Sequence, residues 1–394
     1  MPHGFDNLTT RRKWMGKTIL AGGALAAAIG GVELLRFRRA SAHPFQGGSL
    51  AGDVQFEGEG RAPLDTLFGD ELDGRRFTDL SHFDGDEPAT PTGLFYVRTR
   101  ASHLLDTRRP WSIRVAGPAG IARITMDELK AQAEPQGLHL MECAGNTRTV
   151  RFGMISVASW DGVPFAPLLD RMRFDKGAGI LVSGFDEYAA KPVTPSVPGA
   201  SWIFSRHDIE DSRAFLATRM NGEPLTPDHG APVRLMAPGW YGCACIKWVN
   251  EIGPVDETAE PTSQMREYAA RTFQRGLPPL ASDYYPATID PAAMPVRIEK
   301  WLVDGMVKYK VIGIVWGGSK LAQHLEIRFR QEEPFVPVTY IQTAAHSPWG
   351  LWIHAWTPRQ PGVYRIRLRL ADPSIRTRRL DQGFYVRQVQ IDRV

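Results

Sequence analysis

The sequence predicts a protein of the α+β class, in which a domain of short strands and helices precedes a β-sandwich of immunoglobulin-like size. Two observations support this fold. Strand patterns alternate with helix-start signals between Leu94 and about residue 255, and strand patterns with a period of two follow one another from about residue 295. A length of 394 residues is too great for one ordinary core and suits two domains.

Composition divides the chain further. Residues 1–42 have the layout of a signal peptide, and residues 43–92, rich in Gly, Asp and Pro, are expected to wrap the surface of the α+β domain. That domain is predicted at residues 93–258, a connecting segment at 259–294 and the sandwich at 295–394.

The first domain opens with two predicted strands, Phe95–Val97 and Ser112–Val115. Thr125 and Glu128 have the spacing of a capping box and predict a short helix that runs through Leu129.

A second helix is expected to begin at Pro164, because proline suits the first turn of a helix. Its expected buried face is formed by Leu168, Leu169 and Met172. The stretch Pro192–Pro198 is predicted to be a loop.

In the sandwich, apolar residues alternate with charged ones along two predicted strands. The apolar positions are Leu325, Ile327, Phe329, Ile366, Leu368 and Leu370. The turns are expected at Gly317-Gly318 and Pro361-Gly362. Three tryptophans, Trp349, Trp352 and Trp356, are expected to belong to the core of the sandwich rather than to a binding platform.

The N-terminus predicts export. Arg11 and Arg12 precede a weakly apolar stretch from Ile19 to Val32, and Ala40-Ser41-Ala42 comes after it as a cleavage site. Paired arginines favour the twin-arginine pathway and hence the periplasm. An ordinary secretory signal and an uncleaved anchor are the alternatives.

The charge distribution argues against a nucleic-acid partner. The formal net charge is +4, but residues 1–42 hold seven of the basic residues and only two acidic ones. The rest of the chain carries 40 basic and 41 acidic residues, so it has no basic excess to bind nucleic acid.

The chain has three cysteines, Cys143, Cys243 and Cys245, which is too few for a disulfide framework. The sequence has no CxxCH haem motif and no spaced cysteine quartet for an iron–sulfur cluster. If Cys243 and Cys245 lie on a strand, both side chains point to one face, where small buried residues are expected. A zinc site is the alternative, but the two further ligands that it needs are not close in sequence.

Cys143 stands in the segment Met141–Arg148 between an Ala and a Gly neighbour. A single cysteine in such a setting is commonly a small buried residue. Gly145 would let a bulky ligand approach the backbone, and Arg148 would favour the thiolate form if the loop folds back. A thiolate suits a soft metal, so a structural cysteine and a metal ligand both stay open at this point.

The run Cys143-Ala144-Gly145-Asn146, followed by Arg148, resembles the cofactor loop of the sulfite oxidase family, in which a cysteine sulfur binds molybdenum beside a pterin dithiolene. Further segments resemble the family in the same order along the chain: Leu94–Arg98, Gly184–Tyr188, Asp228–Arg234, Pro238–Gly242, Ile246–Trp248, Trp316–Gly318 and Pro361–Tyr364. The resemblance spans roughly residues 90–375, and its last two segments look like the family's C-terminal dimerisation domain.

This resemblance implies one molybdenum-molybdopterin cofactor (Moco) per chain, with Cys143 as the metal ligand. The residues it assigns to cofactor binding are Cys143, Arg98, Arg100, Asp186, His229, Arg234 and Lys247. Those assigned to catalysis are Cys143, Arg98, Arg148 and Tyr268. His229, Arg234 and Lys247 are suitable donors for a phosphate and a polar ring system. Asp186 would accept hydrogen bonds from ring N–H groups, and Arg98 and Arg148 would form an anion pocket.

Departures from the family pattern cluster where substrate would bind. Thr147 stands where many members carry a second arginine, and Arg100 stands where a histidine is common. The segment Leu380–Gln388 lacks a clear counterpart of the arginine-containing loop that completes the substrate pocket. Residues around Tyr268 also diverge. The cofactor is therefore better defined by the sequence than the substrate.

The leading functional hypothesis is oxidation of sulfite or a related sulfur oxyanion by oxo transfer, with electrons passed to a periplasmic cytochrome c and with a homodimer formed through the sandwich. A molybdenum-dependent reductase of sulfoxide-type groups is the first alternative. A cofactor-free binding protein that uses the sandwich to recognise a partner is the second.

Overall fold

The computed structural model describes Phe45 and residues 47–59, 65–67, 74–83, 87–101, 105–106, 108–117, 120–175, 177–185, 200–271, 274–342, 346–375 and 377–394. The predicted signal peptide, Asp186 and the predicted loop Pro192–Pro198 lie outside these residues. No helix among the described residues is long and apolar enough to cross a membrane.

The described part of the chain is mostly sheet. Its first strands are β1 (Ser49–Val54), β2 (Phe56–Glu57), β3 (Asp65–Leu67), β4 (Gly74–Arg76), β5 (Ser112–Gly117), β6 (Gly120–Thr125), β7 (Glu134–Glu142), β8 (Ile155–Pro164), β9 (Gly179–Gly184), β10 (Ser201–Phe204) and β11 (Phe215–Met220). They continue with β12 (Glu223–Pro224), β13 (Arg234–Met236), β14 (Val249–Val255), β15 (Ala292–Val303), β16 (Met306–Trp316), β17 (Leu325–Arg328), β18 (Val336–Pro337), β19 (Tyr340–Gln342), β20 (Trp349–Trp356), β21 (Gly362–Leu370) and β22 (Arg387–Ile391).

The helices are short: α1 (Met126–Gln132), α2 (Phe165–Arg171), α3 (Arg206–Asp211) and α4 (Ser263–Tyr268). Single 3-10 turns lie at Leu80–His82, Thr92–Leu94, Arg148–Val150, Pro227–His229, Ala269–Arg271 and Ala281–Asp283.

The first domain contains two five-stranded sheets. One has the strand order β10-β9-β14-β5-β6, in which β14 and β5 run parallel, and the other has the order β12-β11-β8-β7 with β13 paired to β11. Strand β7 forms an antiparallel pair with β8, which brings Glu142, at the end of β7, opposite Ile155. The residue after Glu142 is Cys143, so the sheet fixes the start of the cysteine loop.

The predicted helix starts are confirmed. The Thr125 hydroxyl accepts a hydrogen bond from the Glu128 amide at 3.2 Å, and the Glu128 carboxylate accepts one from the Thr125 amide at 2.7 Å, which completes the capping box of α1. Pro164 is the residue immediately before α2, whose Leu168 and Leu169 are buried.

The predicted strand Phe95–Val97 is wrong. Only Val97 pairs with another strand, through a single antiparallel bridge to Arg76. The Phe95 amide instead donates to the Thr92 carbonyl within a 3-10 turn, and the Tyr96 amide donates to the Ser156 hydroxyl. A side chain distant in sequence therefore satisfies a backbone group that a strand ladder would otherwise pair.

The C-terminal part contains two more five-stranded sheets, with the orders β1-β15-β16-β20-β19 and β18-β17-β21-β22-β2. The sheets contact each other through β15 and β21. The alternating apolar residues of β17 and β21 are buried, as predicted from their period of two. Trp349, Trp352 and Trp356 are buried in β20, and Trp356 stacks on Phe329 with ring centroids 4.2 Å apart.

The N-terminal strands belong to these two C-terminal sheets. Strand β1 pairs antiparallel with β15, and β2 pairs antiparallel with β22. The segment from Ser49 to Glu57 thus supplies an edge strand to each sheet before the chain enters the first domain.

Candidate active site

Cys143 lies directly after β7 in a tight turn. Its amide donates to the Met154 carbonyl at 2.9 Å, and its carbonyl accepts from the Asn146 amide at 2.9 Å. The Gly145 amide donates to the Cys143 Sγ atom at 3.3 Å. The turn therefore fixes the sulfur and supplies one donor to it, while the side chain stays 6% exposed.

A cleft of about 670 Å³, including its open mouth, extends from this sulfur. It gathers side chains from distant parts of the sequence. Those predicted to bind the cofactor or take part in catalysis that line it are Cys143, Arg98, His229, Arg234, Lys247 and Tyr268.

Two of the cations on the cleft wall, Arg234 and Lys247, are held by backbone carbonyls. The Arg234 guanidinium donates to the carbonyls of His229 and Cys245, each at 3.1 Å. The Lys247 ammonium donates to the carbonyls of Thr99 and Asp228, at 2.7 and 2.6 Å. Among the described residues no carboxylate pairs with Arg234, which is only 2% exposed, so its charge is left to attract an anion.

His229 stands between these cations with one ring nitrogen engaged. Its Nδ1 atom lies 2.7 Å from the Thr226 hydroxyl, whereas its buried Nε2 atom has no partner of hydrogen-bond geometry in the described part of the chain. Burial, together with the charges of Lys247 and Arg234, lowers the pKa of His229 to about 4. The ring is therefore neutral at pH 7, and the Phe95 backbone lies close enough to interact with it.

The residues that line the cleft have the chemistry that a phosphate-bearing pterin with a sulfur-bound metal requires. A buried thiol, a buried arginine without an acidic partner in the described structure and a neutral histidine line the same space. Anionic phosphate needs the positive charge, a polar ring system needs the imidazole, and a soft metal needs the thiol. The donor set fits the group.

Burial raises the pKa of the Cys143 thiol, and the Gly145 amide and Arg98 only partly oppose that effect. The protein alone therefore favours the neutral thiol. Binding of a metal at this sulfur would displace the proton, because the thiolate is the ligand form.

Tyr268 is the last residue of α4, whose N-terminus is capped by the Thr262 hydroxyl on the Met265 amide at 3.2 Å. Burial and the neighbouring Cys143 raise the pKa of the Tyr268 phenol. Its O–H group thus stays protonated at neutral pH, and Tyr268 lines the same cleft as Cys143. The divergent sequence around Tyr268 did not prevent this placement.

Arg148 and Arg100 are not brought into the cleft. The Arg148 guanidinium donates to the Val386 carbonyl in the C-terminal part, and Arg100 is exposed. In the described part of the chain, the expected anion pocket of Arg98 and Arg148 is therefore replaced by Arg98 alone. Asp186 lies outside the described residues, so its assignment stays a prediction.

Cys243 and Cys245 are buried, as expected, although they do not lie on a strand. The segment from Tyr241 to Lys247 consists of turns and bends, in which the Ala244 and Cys245 amides donate to the Tyr241 and Gly242 carbonyls. Both thiols line the cleft together with Cys143. Turn geometry, not strand alternation, brings them there.

Sequence reasoning missed several residues at this site. Tyr96 and Gln264 line the cleft, and Glu142 and Arg379 lie against the cysteine loop. The sequence could have indicated Tyr96, because residues two positions apart in an extended segment point to the same side and Tyr96 stands two positions before Arg98. Arg379 gave no local signal, because only the tertiary fold brings it to the loop.

Comparison with known proteins matches this site to a known type of domain. Residues 101–262 match the family model described as the oxidoreductase molybdopterin binding domain. The chain is 27% identical over 194 residues to mitochondrial sulfite oxidase of Drosophila melanogaster, covering 45% of this chain and 33% of the fly protein. It is 32% identical over 182 residues to NADH nitrate reductase 1 of Nicotiana tabacum, covering 41% of this chain and 20% of the plant protein.

The chain therefore spans about a third or less of the length of these relatives. A solved structure that covers more of it is the sulfane dehydrogenase SoxCD from Paracoccus pantotrophus. The two share 18% identity with a TM-score of 0.62, over 79% of this chain and 80% of that one. At that identity the likeness is one of fold.

Proposed function

Residues 101–262 match a molybdopterin-binding oxidoreductase domain, and we propose that the whole protein belongs to the sulfite oxidase family and oxidises sulfite or a related sulfur oxyanion. The main observation behind the proposal is that one cleft is lined by the Cys143 thiol together with four polar side chains, Arg98, His229, Arg234 and Lys247. A cofactor-free binding protein is not compatible with the molybdopterin-binding domain.

Each part of the cleft has a role towards the cofactor. Cys143 would hold the metal through its sulfur, and Arg234 and Lys247 would neutralise the phosphate. His229 would satisfy a polar edge of the pterin with its Nε2 atom, in the neutral form that its lowered pKa ensures. When bound, the molybdenum cofactor supplies two-electron exchange and oxygen-atom transfer, while the protein orients the reactants.

Arg98 and Tyr268 are the residues that we propose act on the substrate. Both line the cleft beside Cys143, and the charge of Arg98 acts on the thiol and on the phenol alike. A guanidinium offers a forked pair of donors to the oxygens of a sulfur oxyanion. The protonated Tyr268 phenol offers a further hydrogen bond to the same anion. In the net reaction, water supplies the oxygen that is added, and two protons and two electrons are released.

The proposal requires an electron acceptor outside the Cys143 cleft. The sequence has no haem-attachment motif and no cysteine quartet for an iron–sulfur cluster. A periplasmic cytochrome c is the proposed acceptor, taking electrons one at a time. The paired Arg11 and Arg12 support export by the twin-arginine pathway, and the β-sandwich is the proposed homodimer interface.

A reductase of sulfoxide-type groups is the second candidate, and one observation favours it. With Arg148 bound to the Val386 carbonyl, the cleft has one fewer cation than an oxyanion pocket built from both arginines. A less positive pocket is better suited to a neutral sulfoxide than to a doubly charged anion.

Steady-state kinetics separate the two candidates. Purified, cofactor-loaded protein should reduce a cytochrome c or ferricyanide when given sulfite or another sulfur oxyanion. Arg98→Gln should raise KM for the anion by about 10-fold or more, the loss expected for one charge-assisted hydrogen bond. Arg148→Gln should change KM less than Arg98→Gln does. Turnover only with reduced methyl viologen and a sulfoxide would contradict the oxidase proposal and support the reductase.

A further inference from the structure

The residue before Cys143 is a carboxylate with no exposed surface. The side chain of Glu142 is 0% exposed, yet it is surrounded by polar groups. Its Oε2 atom accepts from the Trp316 indole N–H at 2.8 Å. Its Oε1 atom accepts from the Tyr385 hydroxyl and from the side-chain amide of Asn146, each at 3.3 Å. Such a buried charge is tolerated only with several partners of this kind.

Arg379 contacts the cysteine loop on both sides of the sulfur-bearing residue. Its guanidinium lies 3.7 Å from the Glu142 carboxylate and donates to the Ala144 carbonyl at 3.0 Å. It also lies over the ring of Tyr241, 4.7 Å from the centroid. Cys143 therefore stands between two residues that are held by the same buried arginine.

Most partners of Glu142 come from the C-terminal part of the chain. Trp316 ends β16, and Arg379 and Tyr385 lie between β21 and β22. The rings of Trp316 and Tyr385 pack edge to face with centroids 5.1 Å apart. Asn146 is the exception, since it belongs to the cysteine loop itself and accepts the Met154 amide at 3.1 Å.

The backbone of Glu142 also contacts the turn that holds Cys243. Its carbonyl accepts from the Gly242 amide at 2.7 Å, next to Cys243. A Cβ atom added at Gly242 would lie 2.8 Å from the Tyr96 hydroxyl, so the Gly242 backbone packs closely against Tyr96. Glu142 thus joins the sandwich, the cysteine loop and the Cys243 turn.

We propose that Glu142 is a positioning residue, whose buried carboxylate, fixed by Arg379, Trp316 and Tyr385, ties the Cys143 loop to the C-terminal sandwich and so sets the position of the metal-binding sulfur. This inference rests on the proposed role of Cys143 as the metal ligand. Residues that orient a metal ligand through hydrogen bonds have large effects on the site although they do not touch the metal.

The matched pair of variants is Glu142→Gln and Glu299→Gln. Glu299, on β15, is a second buried carboxylate of the same kind, 1% exposed. It accepts from the Trp301 indole at 3.1 Å and from Arg297 at 2.9 Å, and it also pairs with Lys310 at 3.4 Å, but it does not line the cleft in the described structure. Both substitutions replace a buried carboxylate by an amide of equal size opposite an arginine and a tryptophan, so both should lower Tm.

The readouts are the molybdenum content, the rate of molybdenum loss during dialysis and the Mo(V) electron paramagnetic resonance spectrum. Glu142→Gln is expected to speed molybdenum loss about 10-fold, within the range known for residues that support a metal ligand, and to shift the spectrum. Glu299→Gln is expected to match wild type in both. A Glu142→Gln protein that loses only Tm, with the metal loss and spectrum of wild type, would overturn the proposal.

A milder variant covers the case in which Glu142→Gln does not fold. Tyr385→Phe removes one hydroxyl from the Oε1 atom and keeps the ring against Trp316. It should shift the spectrum in the same direction by a smaller amount, and an unchanged spectrum would count against the proposal. Wild-type protein without molybdenum would instead refute the proposed function itself, so the two failures are distinguishable.

Discussion

At the scale of single residues, the cleft combines a neutral histidine with two fixed cations. His229 is 3% exposed, and burial beside Lys247 and Arg234 lowers its pKa to about 4 from an ordinary value of 6.5. A depressed pKa means that the unfolded chain binds the proton more readily than the folded protein between pH 6.5 and pH 4. The stability that depends on a neutral His229 is therefore complete above pH 6.5 and is lost as pH falls through this window.

We expect the free energy of unfolding of the metal-free protein to fall by up to about 3 kcal/mol from this site between pH 6.5 and pH 4. His229→Gln should show a smaller fall, because glutamine has no proton to gain. His354, whose pKa burial also lowers to about 4, contributes its own fall to both proteins. Denaturant titrations at several pH values make the comparison, and parallel curves for the two proteins would show that His229 does not titrate in this way.

The sequence identified six of the residues that line the cleft as site residues, but not how they are held. Cys143, His229, Arg234 and Lys247 were identified from their motifs and their donor chemistry, and the fold places them along one cleft. Arg148 was expected beside them and instead binds the Val386 carbonyl. That outcome depends on where the C-terminal segment crosses the loop, which no local pattern specifies.

At the scale of secondary structure elements, local signals succeeded where the stabilising partners lie close in sequence. The capping box of α1 involves residues three positions apart, so the sequence contains all of it. The strand predicted at Phe95–Val97 failed because that segment has distant partners, and the turn that holds Cys243 also depends on one. The Tyr96 amide pairs with Ser156, and the Cys243 carbonyl accepts from the Gln264 side chain.

The capping box gives a prediction at this scale. Thr125→Ala leaves the Glu128 amide without its side-chain acceptor and should lower the free energy of unfolding by about 1 kcal/mol. Thr125→Ser keeps the hydroxyl and should restore most of that loss. Thermal unfolding followed by circular dichroism measures both. An alanine variant as stable as wild type would show that the cap does not stabilise α1.

At the scale of the whole molecule, the two parts of the chain are joined at the site itself. Strands β1 and β2 place the N-terminal segment in the sandwich, and the sandwich in turn contributes Trp316, Arg379 and Tyr385 to the cysteine loop. The sequence predicted the two kinds of domain from their different periodicities. It did not predict this shared contact, because the residues involved are separated by about 170 positions or more and each has an ordinary local context.

The most direct test of the proposed metal site uses wild-type protein, Cys143→Ser and Cys243→Ser, each from a molybdenum-competent host. The molybdenum content and the electronic absorption spectrum of the three proteins are compared. Cys243 is a suitable control because it is a second buried thiol in the same cleft. We predict about one molybdenum per chain in wild type and in Cys243→Ser, and lost metal or an altered spectrum in Cys143→Ser alone. Wild-type metal content and an unchanged spectrum in Cys143→Ser would contradict the assignment of Cys143 as the ligand.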